Sequence, residues 1–186
     1  MINVSELSIG NTICVFIRHG EKDTERYCLT EKGKNEIIEF RKSLLLLKKQ
    51  IQIYTSPESR CIETAVMIND FINEGNREVY HSEFLGKPGI QVKDEIAYTK
   101  LTSTMKCRNI FKEWKNGLHV DAMHSPKIIK SKTIEFFEKT ALKNEITLYI
   151  SQSGTVACTG YALGLVDYQT DFNDWVNYLD GYILRL

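Results

Sequence analysis

Apolar residues recur along this chain in two periods. Thr12 to Ile17 is a run of mostly apolar, β-branched residues, a pattern that predicts a buried strand. The run stops abruptly at Arg18-His19-Gly20-Glu21. Ile37, Ile38, Phe40, Leu44, Leu45 and Leu47 then repeat at helical spacing, with Thr30 placed as N-cap. The leucine-rich end of this helix is expected in the core. Gln50 to Tyr54 reads as a second strand, and Ser56-Pro57 as the N-cap and first residue of a second helix. That helix continues through Ile68 and Ile72 to a turn at Asn73-Glu74-Gly75-Asn76. Glu78 to Ser82 predicts a short third strand, followed by a loop from Glu83 to Gly89. Ser125-Pro126 opens another helix, with Ile129, Ile134, Phe136, Phe137 and Leu142 as its apolar face. Glu145 to Ser151 is a further central strand, leading into Gln152-Ser153-Gly154-Thr155 and a small-residue helix over Val156 to Leu163. Asn173 to Tyr178 and Gly181 to Leu186 read as a closing turn and an edge strand. Between residues 90 and 127 no period is clear, and Ile110, Phe111, Trp114 and Leu118 predict one short helix.

Strands alternating with helices predict a mostly parallel sheet covered on both faces, a three-layer α/β/α sandwich. Three junctions pass from strand through loop to helix, and in such a sheet all three open on one edge. The 186 residues fit one domain, 1–186, with no linker, repeat or low-complexity tract.

Composition narrows the function classes. Twenty-four Lys and Arg balance 24 Asp and Glu, so there is no global electrostatic footprint for nucleic acid or an anionic membrane. Any anion site must be local. No apolar run is long enough to span a bilayer, and MINVSELSIG lacks the basic and apolar regions of a signal peptide. The five cysteines are odd in number and form no C-x-x-C, which suits buried, reduced thiols in a cytoplasmic protein. The four histidines show no metal-binding spacing.

The candidate chemistry lies at the junctions. Arg18 can fork two hydrogen bonds onto an oxyanion, and phosphate is the commonest such partner. A neutral His19 is a nucleophile, and the nearby arginine charge disfavours the imidazolium. Gly20 lets the chain turn and a ligand approach the backbone. Arg60 falls in the first turn of the second helix, where free N–H groups already favour an anion. Arg60 paired with Glu58 or Glu63 on a solvated face is the plainer alternative. No Cys-x5-Arg loop, D-x-D pair, G-x-x-x-x-G-K-[ST] loop or G-x-S-x-G elbow is present to support a competing route.

Arg18-His19-Gly20 at the end of the first strand, together with Ser56-Pro57-x-x-Arg60-x-x-x-Thr64-Ala65, resembles the signatures of the histidine phosphatase superfamily, the phosphoglycerate mutase-like group. Leu29-Thr30-x-x-Gly33 at the first helix fits the same pattern. Leu85-Gly86-Lys87-Pro88-Gly89 is similar to a loop in a bacterial subgroup. The resemblance covers the chain from Thr12 to the last strand. It implies that His19 accepts a phosphoryl group covalently, that Arg18 and Arg60 hold it, and that the loop after the third strand supplies the acid. Glu83 is placed for that role, with Glu21 and Asp94 as weaker candidates. It also implies that residues 90–127 are a variable insertion over the pocket.

The third signature departs from the pattern. Where these proteins carry Ser-His, this chain has Ser151-Gln152-Ser153-Gly154. Gln152 can still donate an amide hydrogen bond to a phosphate oxygen but carries no charge. Losing one preorganised donor to a developing oxyanion costs about 10²–10³ in rate. The expectation is a phosphohydrolase for small phosphomonoesters, possessing catalytic His19 and Glu83 and phosphate-binding Arg18, Arg60 and Gln152. It needs no metal or cofactor, because two guanidiniums supply the charge. The alternative is an impaired relative that binds a phosphorylated ligand or a protein partner.

Overall fold

The structure is a computed structural model that describes residues 12–25, 28–47, 49–168 and 175–186. Its centre is β1 (Ile13–Arg18), whose side chains alternate between two buried faces. Ile13, Val15 and Ile17 point into one core, Cys14 and Phe16 into the other. Burial on both faces explains why this strand reads as a continuous apolar run.

β1 is followed by α1 (Glu31–Leu45), β2 (Ile51–Thr55), α2 (Ser59–Ile72) and β3 (Val79–His81). A 3-10 turn at Glu83–Leu85 leads to α3 (Glu95–Thr104) and α4 (Cys107–Lys115). The chain closes through α5 (Pro126–Thr140), β4 (Ile146–Ser151), α6 (Ser153–Leu163) and β5 (Gly181–Arg185). The sheet order is β3-β2-β4-β1-β5. All neighbours are parallel except β5, which lies antiparallel beside β1 at the edge.

Two cores lie on opposite faces of the sheet. Ile37, Phe40 and Leu44 of α1 pack with Cys61, Ala65 and Ile68 of α2 on one side. Phe111 of α4, Ile129 and Phe137 of α5, and Val156 and Ala157 of α6 pack on the other. This is the expected three-layer arrangement.

Several local expectations change. Thr30 caps α1 as expected, its Oγ1 accepting from Gly33 N at 3.0 Å. Gly33 is required because a Cβ there would come within 2.3 Å of Glu21 O. The leucine-rich end is only partly core: Leu44 is buried, while Leu45 and Leu46 are 44% and 81% exposed. Helix α2 begins at Ser59 rather than Pro57, so Ser56 sits before the helix and its Oγ accepts from Glu58 N. Helix α6 begins at Ser153, three residues before its expected start. α3 has no fully buried residue, and only Ala97, Tyr98 and Leu101 pack partly against the core, which leaves a weak apolar stripe in the sequence. Leu118 lies beyond α4 and is exposed. Of the closing turn, residues 173 and 174 lie outside the described residues. The five cysteines are free, but only Cys14, Cys61 and Cys158 are buried; Cys28 and Cys107 are exposed. Among the described residues, no helix is long and apolar enough to cross a membrane.

Candidate active site

Because β4 lies between β1 and β2, three parallel strands deliver their carboxyl ends to one place. The register sets Arg18 opposite Ser151 and Thr55 opposite Ile150. Backbone bonds lock the junctions together: His19 N donates to Ser151 O and Ser56 N donates to Ile150 O, both at 2.9 Å. His19, Ser56 and Gln152, the first residue after each strand, are therefore neighbours across the sheet edge. The N-termini of α2 and α6 rise from the same edge. Their unpaired N–H groups favour negative charge there.

His19 is 3% exposed. Its Nδ1 lies 2.7 Å from Gly20 O. A carbonyl only accepts, so the proton belongs on Nδ1 and the lone pair on Nε2. That lone pair accepts from Arg60 Nε at 3.1 Å. Burial pushes the imidazole from 6.5 down to about 3. The Gly20 carbonyl opposes the shift, and Arg18, Arg60 and Lys22 reinforce it. The ring is thus neutral at pH 7, with one fixed tautomer and three cations around it. Gly20 serves this packing rather than a special backbone angle: a Cβ there would come within 2.8 Å of Ile37 Cδ1.

Arg18 is held from the far end of the chain. Its Nη1 donates to Val176 O at 2.7 Å, and the guanidinium carbon lies 3.8 Å from the centre of the Tyr178 ring. Its Nε is buried without a hydrogen-bond partner among the described residues. Arg60 is the second residue of α2. Its Nη1 donates to Glu58 Oε2 at 2.7 Å, and Glu58 Oε1 lies 2.9 Å from Lys87 Nζ. Burial raises the Glu58 carboxyl, but Lys87 and Arg60 outweigh it and hold it below the usual range. Glu58 therefore stays ionised and orients Arg60.

Gln152 is the N-cap residue of α6 and is half-buried. Gly86 passes so close that a Cβ would lie 2.6 Å from Ser56 Oγ and 3.0 Å from Gln152 Nε2. Arg60, Gln152, Glu58 and Lys87 border a cavity of about 800 Å³. Gln91, Glu95, Tyr98, Thr99, Thr102 and Cys107 complete much of its wall.

The structure thus brings Arg18, His19, Arg60 and Gln152 to one edge, but not Glu83. Glu83 is exposed and borders a separate cavity of about 480 Å³, with Phe84, Ile90 and Phe136. Neither Arg60 nor Gln152 lines that second cavity. Pro88 borders both cavities, so the two adjoin along the loop from Glu83 to Gly89. Glu21 is also engaged elsewhere, with Lys32 at 2.7 Å and Thr30 at 3.1 Å. Asp94 caps α3, accepting from Ala97 N at 2.8 Å. Glu58 is one of the two partners the sequence offered for Arg60, but the pair is largely buried rather than on a solvated face, whereas Lys22 and Tyr178 were not singled out from sequence. Lys22 lies in the opening stretch beside His19, a signal that could have found it. Tyr178 had none, being 160 residues from Arg18 in a separate turn. Among the described residues no group of three or more His, Cys, Asp or Glu is arranged to hold a metal ion.

No family model matches the chain, and no curated protein matches it in sequence. Solved structures do match. A mutant of phosphoserine phosphatase from Entamoeba histolytica, in complex with phosphoserine, aligns at TM-score 0.53 and 18% identity over 83% of this chain and 81% of its own. Phosphoglycerate mutase from Bacillus anthracis aligns at TM-score 0.55 and 12% identity over 83% and 81%. A mycobacterial glucosyl-3-phosphoglycerate phosphatase, in complex with VO3, aligns at TM-score 0.51 and 14% identity over 82% and 81%. The likeness is one of fold, a phosphoglycerate mutase-like α/β sheet shared with these two phosphatases and the mutase. Within this phosphoglycerate mutase-like fold, the edge described above offers a neutral imidazole, two guanidiniums, an ammonium and an amide. Such a set can bind an oxyanion and attack it.

Proposed function

We propose that the protein is a phosphohydrolase for small phosphomonoesters, working through a phosphohistidine. The observation that carries this reading is His19: buried, neutral, with a defined tautomer, and ringed by Arg18, Arg60 and Lys22. A neutral imidazole attacks phosphorus from its lone pair, here on Nε2. In the resting arrangement Arg60 Nε–H occupies that lone pair. An oxyanion that takes the Arg60 N–H bonds releases Nε2 for in-line attack. The P–O bond to the alcohol breaks as the Nε2–P bond forms, and water then hydrolyses the phosphohistidine. Arg18, Arg60 and Gln152 hold the transferred oxygens, with α6 backbone N–H groups beside them. The structural neighbours include proteins solved with phosphoserine and with inorganic phosphate, which supports small phosphorylated ligands. Residues 90–127, which include α3 and α4, supply part of the cavity wall and are read as the segment that sets substrate choice.

Leaving-group protonation is weak in this reading. Glu83 borders a different cavity, and Glu58 is held ionised. Aryl phosphates, whose leaving group departs without a proton, should therefore turn over faster than alkyl phosphates. The test is a burst assay with p-nitrophenyl phosphate, followed by a search for acid-labile phosphate on His19. Turnover with trapped phosphohistidine supports the covalent route. Turnover that survives His19→Ala, or is lost with EDTA, counts against it.

A second reading is favoured by Gln152, an uncharged amide where the resembling proteins carry a histidine. In it the site binds a phosphorylated ligand without turning it over. Then Arg18→Ala abolishes ligand binding, while His19→Ala leaves cellular function intact.

A further inference from the structure

Gln91 is 4% exposed, yet its Oε1 has no hydrogen-bond partner among the described residues. Its residue borders the same cavity as Arg60 and Gln152. A buried acceptor left without a donor is costly, and native structures rarely tolerate one without a purpose.

The surrounding loop holds this amide in place. Gln91 Nε2 donates to the Tyr98 hydroxyl at 3.3 Å, which fixes one end of the amide. Its backbone carbonyl accepts from His124 N at 2.9 Å, and Val92 bridges to Met123 next door. Gly89 lies beneath. It has φ +85, and a Cβ there would lie 2.9 Å from Gln91 Oε1 and 3.2 Å from Nε2. Glycine is thus required both by the backbone angle and by the amide above it. The facing turn of α3 adds Glu95, Thr99 and Thr102 to the same wall. That wall presents an amide oxygen and a carboxylate as acceptors, beside threonine hydroxyls that can accept or donate.

We infer that Gln91 Oε1 is a substrate-recognition group, accepting a hydrogen bond from a hydroxyl or ammonium on the alcohol portion of a phosphomonoester. This rests on the reading of Arg18, Arg60 and Gln152 as the phosphoryl site. The substrate class is then the phosphate ester of a small polyol or amino alcohol, rather than of a simple alkyl or carboxylate-bearing alcohol. A site built to bond a substrate donor discriminates against an analogue lacking it, because the acceptor is then buried unpaired.

The test measures binding to His19→Ala, which consumes no ester. Glycerol 3-phosphate, O-phosphoethanolamine, propyl phosphate and phosphoglycolate compete against a fluorescent phosphate ester. The expected result is that the first two bind about 10- to 100-fold more tightly than propyl phosphate. Adding Gln91→Leu should collapse that ratio towards one. Equal affinities, a preference that survives Gln91→Leu, or a preference for phosphoglycolate overturns the inference. Should Gln91→Leu fail to fold, Gln91→Glu decides: it should favour O-phosphoethanolamine over glycerol 3-phosphate relative to the parent, and no change in that ratio overturns the inference. Wild-type turnover of p-nitrophenyl phosphate is scored separately. Its absence with the binding preference intact sinks the hydrolase reading alone; absence of binding by every ester overturns both.

Discussion

Lowering the pH should unfold this protein through His19. The ring is neutral in the folded chain down to about pH 3, whereas an unfolded histidine takes up its proton near 6.5. Below 6.5 the unfolded chain therefore binds a proton that the folded chain refuses. Stability rises with pH wherever the unfolded state holds more protons. The His19 contribution is thus intact above 6.5 and is withdrawn as pH falls towards 3. The slope is about 1.4 kcal/mol per pH unit. From pH 6.5 to 4.5 that amounts to about 2–3 kcal/mol, a large share of a typical domain's stability. The cause is burial first, then the charges of Arg18, Arg60 and Lys22, set against the Gly20 carbonyl. The assay is urea unfolding at half-unit intervals from pH 7.5 to 4.5 for the wild type and His19→Gln. Carboxylates and other histidines titrate in both proteins, so the difference between the two curves isolates this ring. The wild type should lose stability faster below pH 6.5. Parallel curves, or a His19 ring titrating near 6.5 by NMR in the folded protein, would refute the reasoning.

Other expectations follow from the same geometry. Gly33→Ala forces a Cβ within 2.3 Å of a backbone oxygen in the β1–α1 loop, so a loss of at least about 2 kcal/mol is expected in denaturant unfolding. An unchanged midpoint would mean the loop yields freely. Arg60→Ala removes a charge-assisted donor and should weaken inorganic phosphate binding by about 10- to 100-fold in calorimetry. Affinity within twofold of wild type would place the anion elsewhere. Gln152→His with Ser153→Asp should raise aryl phosphate turnover, by up to about 10²–10³ if one missing donor is the main defect. No gain would mean the divergence lies beyond the third junction. Phosphatase activity between pH 5 and 8 should show no acid limb belonging to His19, since the ring is already neutral there.

The sequence by itself determined the layers and the sheet edge. Residues 13–17 and 146–150 are buried on both faces, so their apolar runs carry the parallel core directly. Thr30 and Gly33 act within one helical turn, Arg18 ends β1, and His19, Arg60 and Gln152 each follow a strand closely enough to be read from local order. The tertiary structure decided which of these groups touch and what charge they carry. Glu83 follows β3 in the sequence, and only the tertiary structure shows which cavity it borders. Arg18 is held by Val176 and Tyr178, and Gln91 becomes an unpaired buried acceptor only when Gly89, Tyr98 and His124 surround it. The Arg18 and His124 contacts join residues far apart in the chain, and no local period encodes any of these contacts. The His19 shift follows the same logic: burial and three cations produce it, and both are properties of the assembled edge rather than of the Arg18-His19-Gly20 tripeptide.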